Sequence, residues 1–248
     1  MLAPKEFRLK MRETLNKNLT LGHPLFNHIM NENKPNLDLL KFTSLQGYQL
    51  TKFFLEYIEN LFFYCPIQKH KIHLLHNMYE EQTGFLSKTK NHVYLMQDFI
   101  KAIGISDEER ESATALKNTQ ELIDYRLNAC RNPELYHIGA AAVMVASEGQ
   151  NLEKIGEEAR HNILGKTYNL KDEDLYFFSV HQKEDVGHVK QGLSLLVDYC
   201  TNAKLQEEAI EAIDHTCKLF YQMYQGIYEY YGLDKLDSNS QIKVAENA

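Results

Sequence analysis

His181-Gln-Lys-Glu-Asp185-Val-Gly-His188 is the stretch from which the rest of this 248-residue chain is read. Two imidazoles and one carboxylate stand at i, i+4 and i+7. An α-helix turns by about 100° per residue, so this spacing places all three in one narrow stripe. The mixed nitrogen and oxygen set suits a first-row transition metal better than Mg or Ca, which prefer all-oxygen shells. One helix rarely completes such a site, so the other ligands must come from elsewhere in the chain.

The surrounding sequence predicts an all-α protein. Apolar residues recur at helical spacing, and strand-type alternation is not sustained anywhere. All five prolines lie at or before residue 133, and Pro24, Pro35, Pro66 and Pro133 punctuate the pattern. Helices are predicted near 5–18, 23–31, 37–64, 68–84, 90–104, 106–112, 117–130, 134–161, 172–199 and 203–231. Asn132-Pro133-Glu134 combines an N-cap, a proline at N1 and a first-turn acid. Asp172, Glu173 and Asp174 open the His181 helix in the same electrostatic sense, and Gly232 ends the last helix. With no repeat and no domain-scale linker, residues 1–233 form one helical-bundle domain. Residues 234–248 form a polar, flexible tail.

Composition narrows the function. The chain is 44% hydrophobic and 25% charged, with a net charge of -7, as in an ordinary globular protein. It has no basic stripe, which argues against a nucleic-acid partner. The longest uninterrupted apolar run, Ala140–Ala146, is too short for a bilayer, so no membrane association is expected. The first residues lack the apolar core of a signal peptide, and a cytoplasmic protein follows as the expectation. Cys65, Cys130, Cys200 and Cys217 form no Cys-x-x-Cys pair and read as reduced, buried small hydrophobes.

Three further residues interrupt apolar helical faces with metal-competent side chains. Glu148 follows Gly139–Ser147 and has Met144, Val145, Leu152 and Ile155 as helical neighbours. A carboxylate buried there must be neutralised, paired with Arg or Lys, or bound to a cation. Glu81 shares a row with Leu74, Met78 and Phe85, while Glu80 points elsewhere. His92 sits with Leu95, Met96 and Phe99. Alone it reads more often as a hydrogen-bonded core histidine than as a ligand. Taken together, Glu81, His92, Glu148, His181, Asp185 and His188 describe a dinuclear metal site inside a helical bundle. Two Fe ions are the expected cofactors, with Mn or a mixed Fe/Mn pair as the alternative. The other histidines have no partner pattern, and His70, His73 and His76 read as surface or inter-helix residues.

At these residues the chain resembles the heme-oxygenase-like di-metal oxidases. That family includes the chlamydial protein associating with death domains and relatives of pyrroloquinoline-quinone synthase. The blocks Leu74–Gly84 with Asn91–Phe99, Ser147–Gln150 and Phe178–His188 carry the resemblance, which extends from His23 to the last helix. It implies a TenA/PqqC-like fold, a homodimer, and the same six residues as ligands. The sequence departs from the chlamydial branch where Phe26 and Glu158 align with a Tyr and a Lys. It also lacks the cysteine that thiaminase-like members place near Glu148.

The expected function is an O2-dependent di-iron oxidase or oxygenase acting on a small organic substrate by N-oxygenation, C–H oxidation or oxidative C–C cleavage. One alternative is a cofactor-free or ligand-binding member of the same fold. Another is a non-enzymatic interaction protein with a structural metal site. Gly149 and Gly192, beside Glu148 and His188, serve either to leave room for substrate or to bring helices close. The tyrosines of the last helix read as a packed amphipathic face.

Overall fold

The computed structural model describes residues 1–152 and 158–237. All regular structure among the described residues is helical. The helices are α1 (Pro4–Lys17), α2 (Leu25–Ile29), α3 (Leu37–Thr51), α4 (Phe54–Tyr64), α5 (Gln68–Thr83) and α6 (His92–Ala102). They continue with α7 (Asp107–Ser112), α8 (Lys117–Arg131), α9 (Tyr136–Ala140), α10 (Arg160–Tyr168), α11 (Tyr176–Tyr199) and α12 (Ala203–Tyr230). Between α9 and residue 148 the chain widens into a π-helix over Ala141–Ser147.

The starts and stops follow local chemistry. Asn36, Asn91 and Asn202 cap α3, α6 and α12 by accepting backbone N–H groups. Asn132 accepts from the Glu134 N–H and Pro133 opens the turn leading into α9. Gly84 closes α5 in a left-handed conformation at φ 60°. Gly232, at φ 65°, lies just beyond α12 as expected.

Two expected long helices are divided. The predicted helix over 37–64 breaks between α3 and α4, where Thr51 Oγ1 donates to the Gly47 carbonyl at 3.1 Å. Such back-bonding bends a helix terminus. The predicted helix over 134–161 becomes α9 and the π segment, then stops. The Gln150 and Asn151 N–H groups turn back to the Ser147 and Glu148 carbonyls at 3.1 and 3.2 Å. Ile155, expected on the Glu148 face, lies outside the described residues. The separate α10 follows at Arg160. Of the expected tail, residues 238–248 lie outside the described residues. Residues 233–237 form a further helical turn, and Asp237 Oδ2 accepts from the Tyr228 hydroxyl at 2.5 Å.

The π segment runs through the centre of the bundle, packed against both α11 and α12. All of its residues are buried. Phe7, Met11 and Leu15 of α1, Ile58 and Leu61 of α4, and Leu196 of α11 join it in the main core. Burial of each such side chain contributes roughly 1.5–3 kcal/mol. A second core links Leu39 of α3, Phe99 and Ile100 of α6, and Ile227 of α12. The four cysteines are free and buried. No helix among the described residues is long and apolar enough to cross a membrane.

Candidate metal centre

Four segments converge beside the π helix: the end of α5, the start of α6, the residue following the π segment, and the first half of α11. They bring the six sequence-predicted residues into two groups. Glu81, His92 and His181 form one, and Glu148, Asp185 and His188 the other; within each group, candidate ligand atoms lie within 4.8 Å of one another. In the first, His92 Nδ1 is 3.1 Å from Glu81 Oε2, and His181 Nε2 is 4.0 Å from Glu81 Oε1. The His92 and His181 rings meet edge to face with centroids 4.8 Å apart. In the second, His188 Nδ1 is 3.2 Å from Glu148 Oε1 and 3.5 Å from Asp185 Oδ1.

Neighbouring groups fix the orientation of these side chains. His181 Nδ1 lies 2.5 Å from the Phe177 carbonyl. A carbonyl only accepts, so the ring proton sits on Nδ1 and the Nε2 lone pair is left facing Glu81. Asn151 Nδ2 donates to Asp185 Oδ2 at 2.7 Å, and Asn77 Nδ2 donates to Glu148 Oε1 at 3.4 Å. These contacts are of the kind that orient metal ligands in known sites.

The hairpin between α5 and α6 explains how His92 reaches Glu81 across eleven residues. Glu80 Oε2 and Oε1 accept from the Leu86 and Ser87 N–H groups at 2.6 and 3.0 Å, tying the loop back to α5. A Cβ on Gly84 would lie 2.4 Å from the Lys90 backbone, so the two loop arms approach as only glycine allows. Asn91 donates from Nδ2 to the Gln82 carbonyl at 3.2 Å and caps α6 through its Oδ1. Phe85, expected on the Glu81 row, falls beyond the end of α5 and is exposed.

The site demands positive charge. Close as these carboxylates and rings lie, several of their buried atoms make no well-aligned hydrogen bond among the described residues: both ring nitrogens of His92, Glu81 Oε1, Asp185 Oδ1 and His188 Nδ1. Leaving such groups unpaired is unfavourable unless a cation satisfies them. Burial and the Glu148 charge together hold the Asp185 carboxyl well above its usual range. Burial alone would lower the His188 imidazole, but the Glu148 and Asp185 carboxylates outweigh it and raise it to about 11. Two adjacent buried carboxylates thus recruit one proton, and a divalent cation answers the same need. The all nitrogen and oxygen donor set, with no thiolate, fits a divalent first-row metal rather than a cysteine-rich structural zinc.

Sequence reasoning missed part of this cluster. Glu80 was expected to face away, yet it is buried and its Oε1 lies 3.7 Å from His92 Nε2. With Glu184 it forms a second acidic set around His92. Burial pushes the Glu184 carboxyl up. Glu184 stands three residues after His181, one helical turn along the stripe, and that spacing is the signal that could have found it. Gly149 and Gly192 prove to serve close packing. A Cβ on Gly192 would lie 2.7 Å from the Met144 Cβ and carbonyl oxygen, and one on Gly149 would lie 2.6 Å from Leu15 Cδ1.

Glu81, Glu148 and His181 also border a cavity of about 210 Å³. Its wall is mostly apolar and includes Phe26, Phe54, Phe177, Phe178, Phe220 and Met223. The last helix contributes Tyr224, whose ring meets Phe26 edge to face at 4.8 Å. Tyr228 of that helix is buried and meets the His23 ring at 5.7 Å as the packed reading expects, whereas Tyr221 and Tyr230 are exposed.

Comparison with known proteins gives the fold and the family. The profile of a family described as iron-containing redox enzymes matches residues 44–221. The 4-aminobenzoate synthase of Nitrosomonas europaea is 29% identical over 159 residues, covering 64% of this chain and 61% of that protein. The 4-aminobenzoate synthase of Chlamydia trachomatis is 25% identical over 148 residues, covering 58% of this chain and 60% of that protein. The chain therefore spans about three fifths of the length of these curated relatives. In three dimensions it is similar to a TenA homologue from Pseudomonas syringae, with a TM-score of 0.69 at 13% identity over 89% of this chain and 92% of that one. The helical architecture is thus heme-oxygenase-like, and the chain belongs to the iron-containing redox enzyme family.

Proposed function

We propose that the protein is an O2-dependent di-iron oxidase or oxygenase acting on a small organic substrate. The observation that carries this reading is the pair of buried three-residue clusters bordering one apolar cavity. In this account Glu81, His92 and His181 hold one iron, and Glu148, Asp185 and His188 hold the other. Two iron ions there would supply redox chemistry and activation of O2.

The chain's own residues do the rest. Phe177 keeps the His181 proton on Nδ1, so Nε2 stays available. Asn151 and Asn77 hold Asp185 and Glu148 in place. Glu80 and Glu184 flank His92 as outer carboxylates. The aromatic cavity wall excludes water and positions the substrate's apolar part. As the family resemblance implies, the protein works as a homodimer.

The reading stops short of aminobenzoate formation, the activity in the names of the two relatives. At the positions aligned with the chlamydial Tyr and Lys stand Phe26, a cavity-wall residue, and Glu158, which accepts from Lys166 Nζ at 2.5 Å.

The test is O2 uptake by protein loaded anaerobically with Fe(II). Uptake should depend on iron and disappear in His188→Ala. Substrate turnover that survives chelation would instead support a cofactor-free enzyme.

A further inference from the structure

Arg126 of α8 is the buried charge for which the metal centre has no use. It lines the same cavity as Glu81, Glu148 and His181, and it is 2% exposed. No carboxylate among the described residues forms an ion pair with it. Its Nε donates to the Leu122 carbonyl at 3.3 Å and its Nη1 to Ser147 Oγ at 3.3 Å. Ser147 Oγ in turn donates to the Ala142 carbonyl at 2.8 Å, which turns its lone pairs toward the guanidinium. Nη2 has no hydrogen-bond partner of good geometry among the described residues.

The guanidinium is held rather than neutralised. It lies over the Tyr57 ring at 4.6 Å and the Phe220 ring at 5.5 Å. The titratable groups that act on it are the Tyr57 phenol and the Cys130 thiol. Burial pushes both up to about 12, so neither is an anion at neutral pH. A buried cation with a free donor and no counter-ion is strongly unfavourable unless an anion arrives to meet it. Arginine presents its donors as a fork that matches a carboxylate. Ser147 is also the residue before Glu148, so the fork opens beside the metal centre.

We infer that Arg126 anchors the acid group of the substrate, and that the cavity takes a small organic acid with an apolar body. The carboxylate sits on Nη2 and the apolar body among Phe26, Phe54, Phe177, Phe178, Phe220 and Met223. An apolar cavity of about 150 Å³ takes up benzene. One of about 210 Å³ therefore suits a single ring with a short acidic chain, or an alkyl acid of similar bulk. That the bound acid is then oxidised rests on the function proposed above; that it binds does not.

The probes are 3-phenylpropionate and its neutral amide, 3-phenylpropanamide, titrated calorimetrically into the full-length protein. Each is tested with iron-loaded anaerobic protein and with chelated protein. The acid should bind more tightly than the amide by about ten- to a hundredfold, the range of a charge-assisted hydrogen bond. That preference should persist without metal and vanish in Arg126→Gln, with amide affinity and iron content unchanged. Arg126→Lys should keep part of the preference, and Ser147→Ala should reduce it. These two variants decide the matter if Arg126→Gln does not fold.

Three results would overturn the inference: neither probe binds, acid and amide bind equally, or the preference survives in Arg126→Gln. A preference lost on chelation but insensitive to Arg126 would assign the carboxylate to the metal, sparing the di-iron reading. An Arg126-dependent preference in a protein that takes up no iron would sink the di-iron reading and leave this one standing.

Discussion

His181 shows how one hydrogen bond sets a ligand's chemistry, because the Phe177 carbonyl fixes the tautomer and with it the nitrogen that faces Glu81. Asn151 does the equivalent for Asp185. In metal sites such orienting contacts typically change affinity about 10- to 100-fold. Asn151→Ala should therefore weaken iron binding by that range in a competition titration, with the fold intact. Unchanged affinity would show that Asp185 needs no help. Of the six candidate residues, His181, Asp185 and His188 were legible from their i, i+4, i+7 spacing, and Glu81, His92 and Glu148 because each interrupts an apolar helical face with one metal-competent side chain. Glu80 was not, since its partners are backbone N–H groups of a loop whose path the sequence does not reveal. Arg126 was not either. A long basic side chain usually carries its charge out to solvent, and nothing in its spacing says that this one stays inside.

At the scale of elements, the turn between α5 and α6 decides whether Glu81 and His92 meet. Gly84 combines φ 60° with a Cβ position 2.4 Å from the Lys90 backbone. Gly84→Ala should destabilise the protein by at least about 1–3 kcal/mol. It should also lower iron affinity, because the loop would have to open and carry His92 away. A variant with unchanged melting temperature and iron content would show that the loop is pliant. Periodicity located α5, α6, α11 and α12, since each pairs a recurrent apolar face with a polar one. It missed the π segment, because a run in which Ala140–Ala146 are all apolar carries no phase information. Glu148 is the residue that immediately follows the widened segment. π segments of this kind recur at functional sites.

At the scale of the molecule, helices α5 and α11, which carry candidate ligands, are tied together at the end remote from the candidate metal centre. Asp198 Oδ2 meets Lys69 Nζ at 2.7 Å and His70 Nε2 at 2.6 Å. Lys69 first, and His70 with it, hold the Asp198 carboxyl below its usual value. A depressed carboxylate contributes stability above its unfolded pKa, about 3.9, and loses it as the pH falls through the folded value. Asp198→Asn should therefore lower the melting temperature at neutral pH, and the gap to wild type should close in acid. A gap independent of pH would mean that the pair contributes packing rather than charge. The all-α architecture was legible from the chain as a whole. The breaks after Thr51 and Gly149 were not, since they arise from local hydrogen bonds that no spacing announces. The most direct test of the di-iron centre is an anaerobic Fe(II) titration of wild type, Glu148→Ala and His188→Ala, with iron counted per chain and helicity followed by circular dichroism. Two irons are expected in wild type and at most one in either variant, with helicity retained. Two irons kept by either variant, or none bound by wild type, would contradict that expectation.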